Sequence, residues 1–400
     1  MRRSTRRRLL GAGSALTAVA ALGLDAVQAA TRPQPATPRT LAFPRDAGAH
    51  TEAQTEWWYL TGWISAGAAG PVPEASYGFQ ITFFRSRVDA AQGMQSRLAA
   101  RQLLFAHAAV TDVAAKRLWH DQRIERWSGE APGHNAMDMA SASTLDTGVL
   151  LQDWSLLRDG LAPQNGALAA AAPALHARVT AQDFQLDLHF AATQALLLQG
   201  QQGWSRKGPQ PQQGSYYYSL PQLQVSGNLA LQGKSLQVAA GSTAWLDHEW
   251  SQEMLPAGAV GWDWLGINLF DGSALTAFQL RDQAGGVLWD GGSFRAGEVT
   301  GKGSAAGSDL YTFSRGEVIF KPLRLWRSAV SRSSYPVEWL VRTPADFYTV
   351  KAVVDNQELD SRNSSGAIYW EGLSELRDAN GRRMGRGYLE MTGYAAALRL

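Results

Sequence analysis

The sequence predicts an all-β protein of 400 residues, built from two antiparallel β-barrel domains in tandem. Three observations indicate this class. Residues 56–64 are rich in aromatic and β-branched side chains, residues 77–84 alternate partly, and residues 185–190 alternate cleanly at period two, which is the side-chain period of a β-strand. The chain has 15 tryptophans, and aromatic side chains pack well on a pleated surface. Its 40 glycines and 16 prolines indicate many turns between short elements.

Strand patterns are clearest in five segments: residues 56–64, 77–84, 185–190, 265–270 and 273–280. The last two are separated by Asp271-Gly272, which is a strong hairpin signal between apolar runs. Helical periodicity is weak and confined to residues 96–105 and the Ala-rich residues 166–175. An antiparallel sheet of many strands must protect its edges, and closure into a barrel does this.

One pattern occurs twice along the chain. Residues 57–60 (WWYL) precede residues 79–81 (FQI) and Arg85, whereas residues 262–265 (WDWL) precede residues 278–280 (FQL) and Arg281. An offset of about half the chain suggests duplication of a β-domain. We therefore predict an N-terminal domain over residues 50–227 and a C-terminal domain over residues 228–400.

The N-terminus carries an export pattern. Five arginines among the first eight residues precede an uncharged run from Leu9 to Leu24, which is short for a membrane span. Residues 5–10 (TRRRLL) fit a twin-arginine signal, with cleavage predicted after Ala29. Residues 30–49 are predicted to be a linker. A periplasmic or secreted location follows, with no stable membrane span after signal cleavage.

Composition and motifs exclude several functional classes. The net charge is +2, most of the excess lies in the leader, and no basic stripe predicts nucleic-acid binding. The absence of cysteine excludes disulfides and thiolate metal sites. The mature sequence contains no Gly-x-Ser-x-Gly elbow, Walker loop or Rossmann fingerprint. No cofactor is predicted.

Seven ordered motifs, spread over residues 50–394, resemble one family. They are residues 54–62 (QTEWWYLTG), 241–250 (GSTAWLDHEW), 261–264 (GWDW), 335–339 (YPVEW), 357–359 (QEL), 369–372 (YWEG) and 385–394 (GRGYLEMTGY). This set is similar to the AttH-like and carotenoid 1,2-hydratase (hydroxyneurosporene synthase) family. The resemblance implies two lipocalin-like (calycin) barrels. It also implies hydratase activity in some members, without a cofactor.

The second and third motifs contain the candidate site. Acid-catalysed hydration of an alkene needs a proton donor and shielding of a carbocation, which tryptophan faces provide. The candidate catalytic residues are Asp247, His248, Trp250 and Asp263, and the candidate ligand-binding residues are Trp245, Glu249, Trp262 and Trp264.

Strand alternation divides residues 245–250 between two faces. Trp245, Asp247 and Glu249 share one face, whereas Leu246, His248 and Trp250 share the other. The resemblance favours the second face, because the functional His and Trp of the hydratases match His248 and Trp250. A structural role for the cluster, as a satisfied buried network, is the alternative.

Other acidic residues have weaker patterns. His50, Glu52 and Glu56 match no metal-ligand spacing, so no metal site is predicted. Glu371 and Glu390 lie on late strands of undetermined orientation, and a buried glutamate is expected to pair with Arg386 or another arginine.

Two functions remain open from the sequence. In the first, the protein binds a hydrophobic isoprenoid, polyene or lipid, with an envelope transport system as a candidate partner. In the second, it is a hydro-lyase that adds water across an isoprenoid double bond.

Overall fold

The computed structural model describes residues 38–67, 74–160, 174–297 and 310–398. The predicted signal peptide lies outside the described residues. The described ranges contain two short 3₁₀ helices, at Arg45–Ala47 and Asp89–Ala91. The described residues contain no α-helix, and in none of their helices is there an apolar stretch long enough to cross a membrane. The predicted helix over residues 96–105 is therefore wrong: this segment is a turn followed by a strand, in which Leu103, Leu104 and Phe105 pair with the neighbouring strand of the first sheet.

Twenty-four strands form two antiparallel sheets in the described part of the chain. The first sheet contains β1 (Thr55–Ile64), β2 (Tyr77–Arg87), β3 (Gln102–Asp112), β4 (Arg117–Trp127), β5 (Ala140–Ala142), β6 (Gly148–Leu151), β7 (Trp154–Asp159), β8 (Ala174–Thr180), β9 (Phe184–Ala191), β10 (Leu197–Leu198), β11 (Trp204–Arg206), β12 (Gly214–Leu231), β13 (Lys234–Gln237) and β14 (Thr243–Ser251). Its order is β4-β3-β2-β1-β14-β12-β9-β8-β7-β6-β5, with β10, β11 and β13 also paired to β12.

The second sheet contains β15 (Gly261–Leu269), β16 (Ala274–Arg281), β17 (Val287–Arg295), β18 (Leu310–Phe313), β19 (Ile319–Arg327), β20 (Ser334–Arg342), β21 (Phe347–Ala352), β22 (Glu358–Ser361), β23 (Ala367–Arg377) and β24 (Arg383–Met391). Its order is β18-β17-β16-β15-β24-β23-β21-β20-β19, with β22 paired to β23.

The first sheet curls until its two ends approach each other. Arg126 at the end of β4 pairs with Asp138 at 3.1 Å, and Gln152 donates to Glu125 at 2.8 Å. One continuous apolar core, including Trp58, Phe83, Leu188 and Leu246, lies inside this curl. A second core fills the other sheet. The predicted all-β fold of two lipocalin-like antiparallel barrels is confirmed.

The division between the sheets lies later than the predicted domain boundary. Residue 227 falls inside β12, and β14 inserts between β1 and β12 of the first sheet. The sheet changes between Ser251 and Gly261. Pairing of β1 with a strand almost half the chain away cannot be read from local sequence.

The described end of the predicted linker is part of the fold. Four residues of this segment are buried: Leu41, Asp46, Ala47 and Ala49. Arg39 and His50 both bind the Asp46 carboxylate, which anchors the segment. Proline and alanine content suggested a linker, but such composition does not reveal polar anchoring of this kind.

Candidate functional site

A cavity of about 100 Å³ lies between the two sheets. The first sheet contributes residues of β1, β2, β3 and β14, and the second contributes residues of β15, β16, β23 and β24. Its lining combines aromatic rings with four carboxyl groups and one lysine: Trp57, Tyr59, Phe84, Phe105, His107, Lys207, Asp247, Glu249, Trp262, Trp264, Phe278, Tyr369, Glu371 and Glu390 are among the residues. The cavity is thus at the seam between the two cores rather than inside one barrel.

The repeated sequence pattern forms the aromatic walls. Trp57 and Tyr59 reach the cavity from β1, and Trp262 and Trp264 reach it from β15. The rings of Tyr59 and Trp264 meet edge to face at 5.3 Å between centroids. Each pair lies two residues apart, so alternation directs both members of the pair to the same side of their strand.

Strand β14 presents its two faces to different environments. Asp247 and Glu249 line the cavity, whereas His248 and Trp250 point into the first barrel. The face favoured by the resemblance is therefore the one turned away from the cavity, and alternation allowed no other division of these four residues.

Asp247 is held by three donors. It accepts hydrogen bonds from Tyr217 Oη at 2.7 Å, from Ser219 Oγ at 2.5 Å and from Trp245 Nε1 at 2.6 Å. Trp245 thus supports the carboxyl group from the seam, outside the described lining of the cavity. Burial raises the pKa of Asp247 to about 7, although the three hydrogen bonds act in the opposite direction.

Glu249 is an ion-paired carboxylate. Its Oε1 lies 3.0 Å from Lys207 Nζ and accepts a hydrogen bond from Ser215. Lys207 also lies over the ring of Phe278, at 4.2 Å from its centroid. This end of the cavity therefore balances one negative and one positive charge.

Glu371 and Glu390 form a carboxyl pair opposite Asp247. They are directly paired across β23 and β24, and Glu390 is also the partner of Trp264 on β15. Burial, then Glu390, raises the pKa of Glu371 well above its usual range. Burial raises the pKa of Glu390 to about 8, and Asp247 and Glu249 act in the same direction. Two such neighbours do not both ionise at neutral pH.

The expectation that a buried glutamate here needs an arginine was wrong. Arg386 extends away from the pair and binds Glu74 at 2.7 Å and Glu375 at 3.4 Å. Burial and mutual repulsion keep a proton on the Glu371–Glu390 pair, and this proton removes one of the two negative charges that an arginine would otherwise compensate.

A neutral histidine borders the same wall. His107 Nδ1 lies 2.8 Å from Tyr369 Oη, and Nε2 lies 2.8 Å from Ser364 Oγ. Burial lowers the pKa of His107 to about 3. The ring therefore acts as a neutral hydrogen-bonding group that orients Tyr369 beside Glu371.

His248 and Trp250 belong to a separate buried network centred on Glu56. Glu56 Oε1 lies 2.7 Å from His50 Nδ1 and 2.9 Å from His248 Nε2, and Oε2 accepts from Arg85 Nε at 2.7 Å. The Trp250 ring stacks on His50 with 3.7 Å between centroids. Burial lowers the pKa of His248 to about 4, so this imidazole is neutral and donates to Glu56.

Asp263 is also not among the residues that line the cavity. It contacts Arg281 Nε at 2.8 Å, Gln279 Nε2 at 2.7 Å and Tyr394 Oη at 2.9 Å. Burial raises its pKa, and Arg281 acts against that shift. Its neighbours Trp262 and Trp264 face the cavity instead.

Sequence reasoning missed the most perturbed acids of the site. Glu371 and Glu390 both lie in motifs of the resemblance, and each follows an aromatic or apolar residue in a strand. The sequence does contain a signal, namely one glutamate in each of two consecutive late strands. That the two glutamates lie directly opposite each other depends on the register between β23 and β24, which only the assembled sheet shows.

Within the part of the chain that the structure describes, two groups of side chains have the residue types of a metal site. His50, Glu56 and His248 are buried, and His176, Asp187 and His189 lie at the surface of β8 and β9. In the first group, Arg85 and the His50 backbone N–H already bind Glu56. The Glu56 network is thus complete without an ion.

Comparison with known proteins gives a consistent family assignment. The AttH-like family model matches residues 34–394. A crystal structure of a protein assigned as AttH from Nitrosomonas europaea is 39% identical, covers 90% of this chain and 99% of that chain, and has a TM-score of 0.74. Kievitone hydratase from Nectria haematococca is 13% identical, covers 90% of this chain and 98% of that chain, and has a TM-score of 0.61, which shows the fold. No curated protein sequence matches.

Proposed function

The chain belongs to the AttH-like family, and from this premise we propose that it binds a small hydrophobic molecule between its two barrels. The observation that carries the proposal is the inter-sheet cavity with tryptophan, tyrosine and phenylalanine rings on both walls. Ligand pockets are typically lined by apolar and aromatic side chains with a few convergent polar groups.

The size of the cavity supports a compact occupant. A single buried water needs roughly 10–15 Å³ in a comparable measure, and this cavity offers about 100 Å³. An aromatic ring or a short isoprenoid unit matches that space. Flat rings such as Trp57 and Trp262 provide large contact areas on either side of such a molecule.

Catalysis is a second candidate, favoured by the protonated carboxyl groups beside the tryptophans. A carboxyl of the Glu371–Glu390 pair, or Asp247, would transfer its proton to one alkene carbon. The π electrons form the new C–H bond, and the tryptophan faces stabilise the resulting carbocation. Water then forms the C–O bond and returns a proton to the carboxylate. The structural neighbour kievitone hydratase is named for a hydration, which is the reaction class of this second candidate.

We also propose that the protein is exported by the twin-arginine route and acts in the periplasm or outside the cell. The arginine-rich leader and its apolar run support this. Fractionation of cells, with mass measurement of the mature N-terminus, tests it. A chain retained in the cytoplasm with its leader attached would contradict export.

Native mass spectrometry of protein from its own host tests binding. We expect a retained small molecule on the wild type, and its loss from Ala367→Trp, which fills the cavity. Ala284→Trp is a matched control, because Ala284 is exposed on the turn between β16 and β17. Equal retention by all three proteins contradicts binding in this cavity. Incubation with the recovered ligand then separates the two candidates, since hydration adds the mass of one water.

A further inference from the structure

The cavity has one wall that differs from the others. This wall carries two hydroxyl and two carboxyl groups, from Tyr59, Tyr369, Glu371 and Glu390. Much of the remaining lining is aromatic: Trp57, Phe84, Phe105 and Phe278. A purely hydrocarbon occupant would leave this polar wall facing carbon atoms. Burial of polar groups without partners is unfavourable, so the wall carries information about what binds.

Glu371 and Tyr59 each carry a buried polar atom whose hydrogen-bonding capacity the described chain does not fully use. Glu371 is 2% exposed and Tyr59 is 6% exposed. Among the described residues, neither Glu371 Oε1 nor Tyr59 Oη has a hydrogen-bond partner of standard geometry. Both residues line the cavity. Tyr59 and Tyr369 nevertheless lie close enough to Glu371 to lower its pKa against the effects of burial and Glu390.

The other two carboxyl groups of the cavity are satisfied by the chain itself. Asp247 has its three donors, and Glu249 has Lys207 and Ser215. The free capacity is therefore specific to the Glu371 wall. A carboxyl group that keeps its proton can donate one hydrogen bond and accept another, and the Tyr59 hydroxyl can do the same.

We propose that the natural ligand is amphipathic: an apolar ring or isoprenoid unit lies between the tryptophans, and one hydroxyl or carbonyl oxygen meets Glu371 and Tyr59. This inference rests on the proposed function, since it names the class of molecule that the hydrophobic site takes. The oxygen end is neutral, because the carboxyl pair retains a proton to donate to it and Lys207, the one cation of the described lining, is already paired with Glu249. A site built to hydrogen-bond an oxygen discriminates strongly against the analogue that lacks it.

Equilibrium dialysis with three probes tests this: naphthalene, 2-naphthol and 2-naphthylmethylammonium, each with the mature wild-type chain. We expect 2-naphthol to bind at least about tenfold more tightly than naphthalene, which corresponds to one well-formed hydrogen-bonding contact. Tyr59→Phe should remove several-fold of the 2-naphthol affinity and leave naphthalene unchanged. This substitution keeps the ring that packs on Trp264.

Glu371→Leu should abolish the preference for 2-naphthol over naphthalene. If the Glu371→Leu protein does not fold, Tyr59→Phe still decides the test. Tyr311→Phe is the control, because Tyr311 is 48% exposed and is not among the residues that line the cavity.

The outcomes separate the two proposals. Equal binding of naphthalene and 2-naphthol, unaffected by Tyr59→Phe, overturns the amphipathic ligand and leaves hydrophobic binding in place. Binding of neither probe overturns hydrophobic binding at this site. Tightest binding of the ammonium probe overturns the neutral oxygen in favour of an organic cation.

Discussion

Two buried polar clusters lie on opposite faces of strand β14, and they differ in how completely their groups are paired. On the inner face, Glu56 binds Arg85, His50 and His248 at hydrogen-bonding distances. On the outer face, Asp247 and Glu249 share a cavity with the Glu371–Glu390 pair. The inner cluster has an arginine for its carboxylate, whereas the carboxyl pair of the outer cluster has no arginine among the described lining residues.

The difference distinguishes a saturated structural network from a candidate functional site. Arg85 and His50 lower the pKa of Glu56 well below its usual range against burial, so the inner carboxylate is charged and saturated. Burial raises the pKa of Glu390 to about 8 in the outer cluster. Ionisable groups held away from their ordinary pKa in a cleft are candidates for function, while saturated ion pairs fix packing.

Glu56→Ala should give the largest loss of stability in this comparison. The substitution leaves Arg85 and two histidines buried without their shared acceptor, and breaking a buried ion pair costs about 3–5 kcal/mol. Urea unfolding followed by tryptophan fluorescence measures the change.

Glu52→Ala is the control for this variant, because Glu52 is exposed and four residues earlier. A Glu56→Ala protein as stable as the control would remove the structural assignment of the inner cluster. It would also make His248 and Trp250 functional candidates again.

The outer cluster should make the folded chain less stable as the pH rises. Unfolded, Glu390 titrates near 4.5, whereas burial raises its folded pKa to about 8. Between these values the unfolded chain loses a proton that the folded chain keeps, so unfolding becomes more favourable with each pH unit. The slope approaches about 1.4 kcal/mol per pH unit for one proton.

Glu390→Gln should flatten this slope between pH 5 and pH 8. Asp247, Glu249 and Glu371 face Glu390 from β14 and β23, and Trp262 hydrogen-bonds to it from β15. Burial also raises the pKa of Asp247, to about 7, and that of Glu371, so part of the slope remains in the variant. Urea unfolding at a series of pH values measures both proteins, and parallel curves would show that Glu390 ionises normally in the fold.

The fold could be predicted because its signals are local. Asp271-Gly272 joins β15 to β16 as the hairpin signal predicted, with Leu269 N–H bonded to the Ser273 carbonyl. Alternation in residues 185–190 likewise agrees with the observed burial pattern of β9.

The cavity could be predicted only in part, since it depends on distant pairings. Alternation correctly grouped Asp247 with Glu249, but it cannot state which face of a strand meets a second sheet. That depends on β14 pairing with β1 and on β24 pairing with β15. The same pairings bring Glu371 and Glu390 opposite Asp247, which no spacing along the chain reveals.

Tyr217→Phe tests the hydrogen bonds that link Asp247 on β14 to Trp264 on β15. Tyr217 Oη donates to Asp247 at 2.7 Å and accepts from Trp264 Nε1 at 3.2 Å. Its loss leaves two buried polar groups short of a partner, at a cost of about 1–3 kcal/mol. The pKa of Asp247 should also rise further, because this hydrogen bond lowers it.

Carboxyl carbon NMR titration reads the Asp247 pKa directly, and urea unfolding reads the stability. Tyr218→Phe is the matched variant, since Tyr218 faces the inner cluster and bonds His248 at 3.2 Å. If Tyr218→Phe shifts the Asp247 pKa as much as Tyr217→Phe does, the two faces of the sheet are not separated as the structure indicates.

The smallest effect on stability is expected at the surface group of His176, Asp187 and His189 on β8 and β9. His176 bonds Asp187 at 2.5 Å and stacks on His189, yet the Asp187 side chain is 49% exposed. Solvent screens such pairs, and they contribute about 0–1 kcal/mol. His176→Gln should therefore change the free energy of unfolding far less than His248→Gln, in which a buried donor to Glu56 is altered. Comparable losses in the two variants would show that burial does not explain the difference between the clusters.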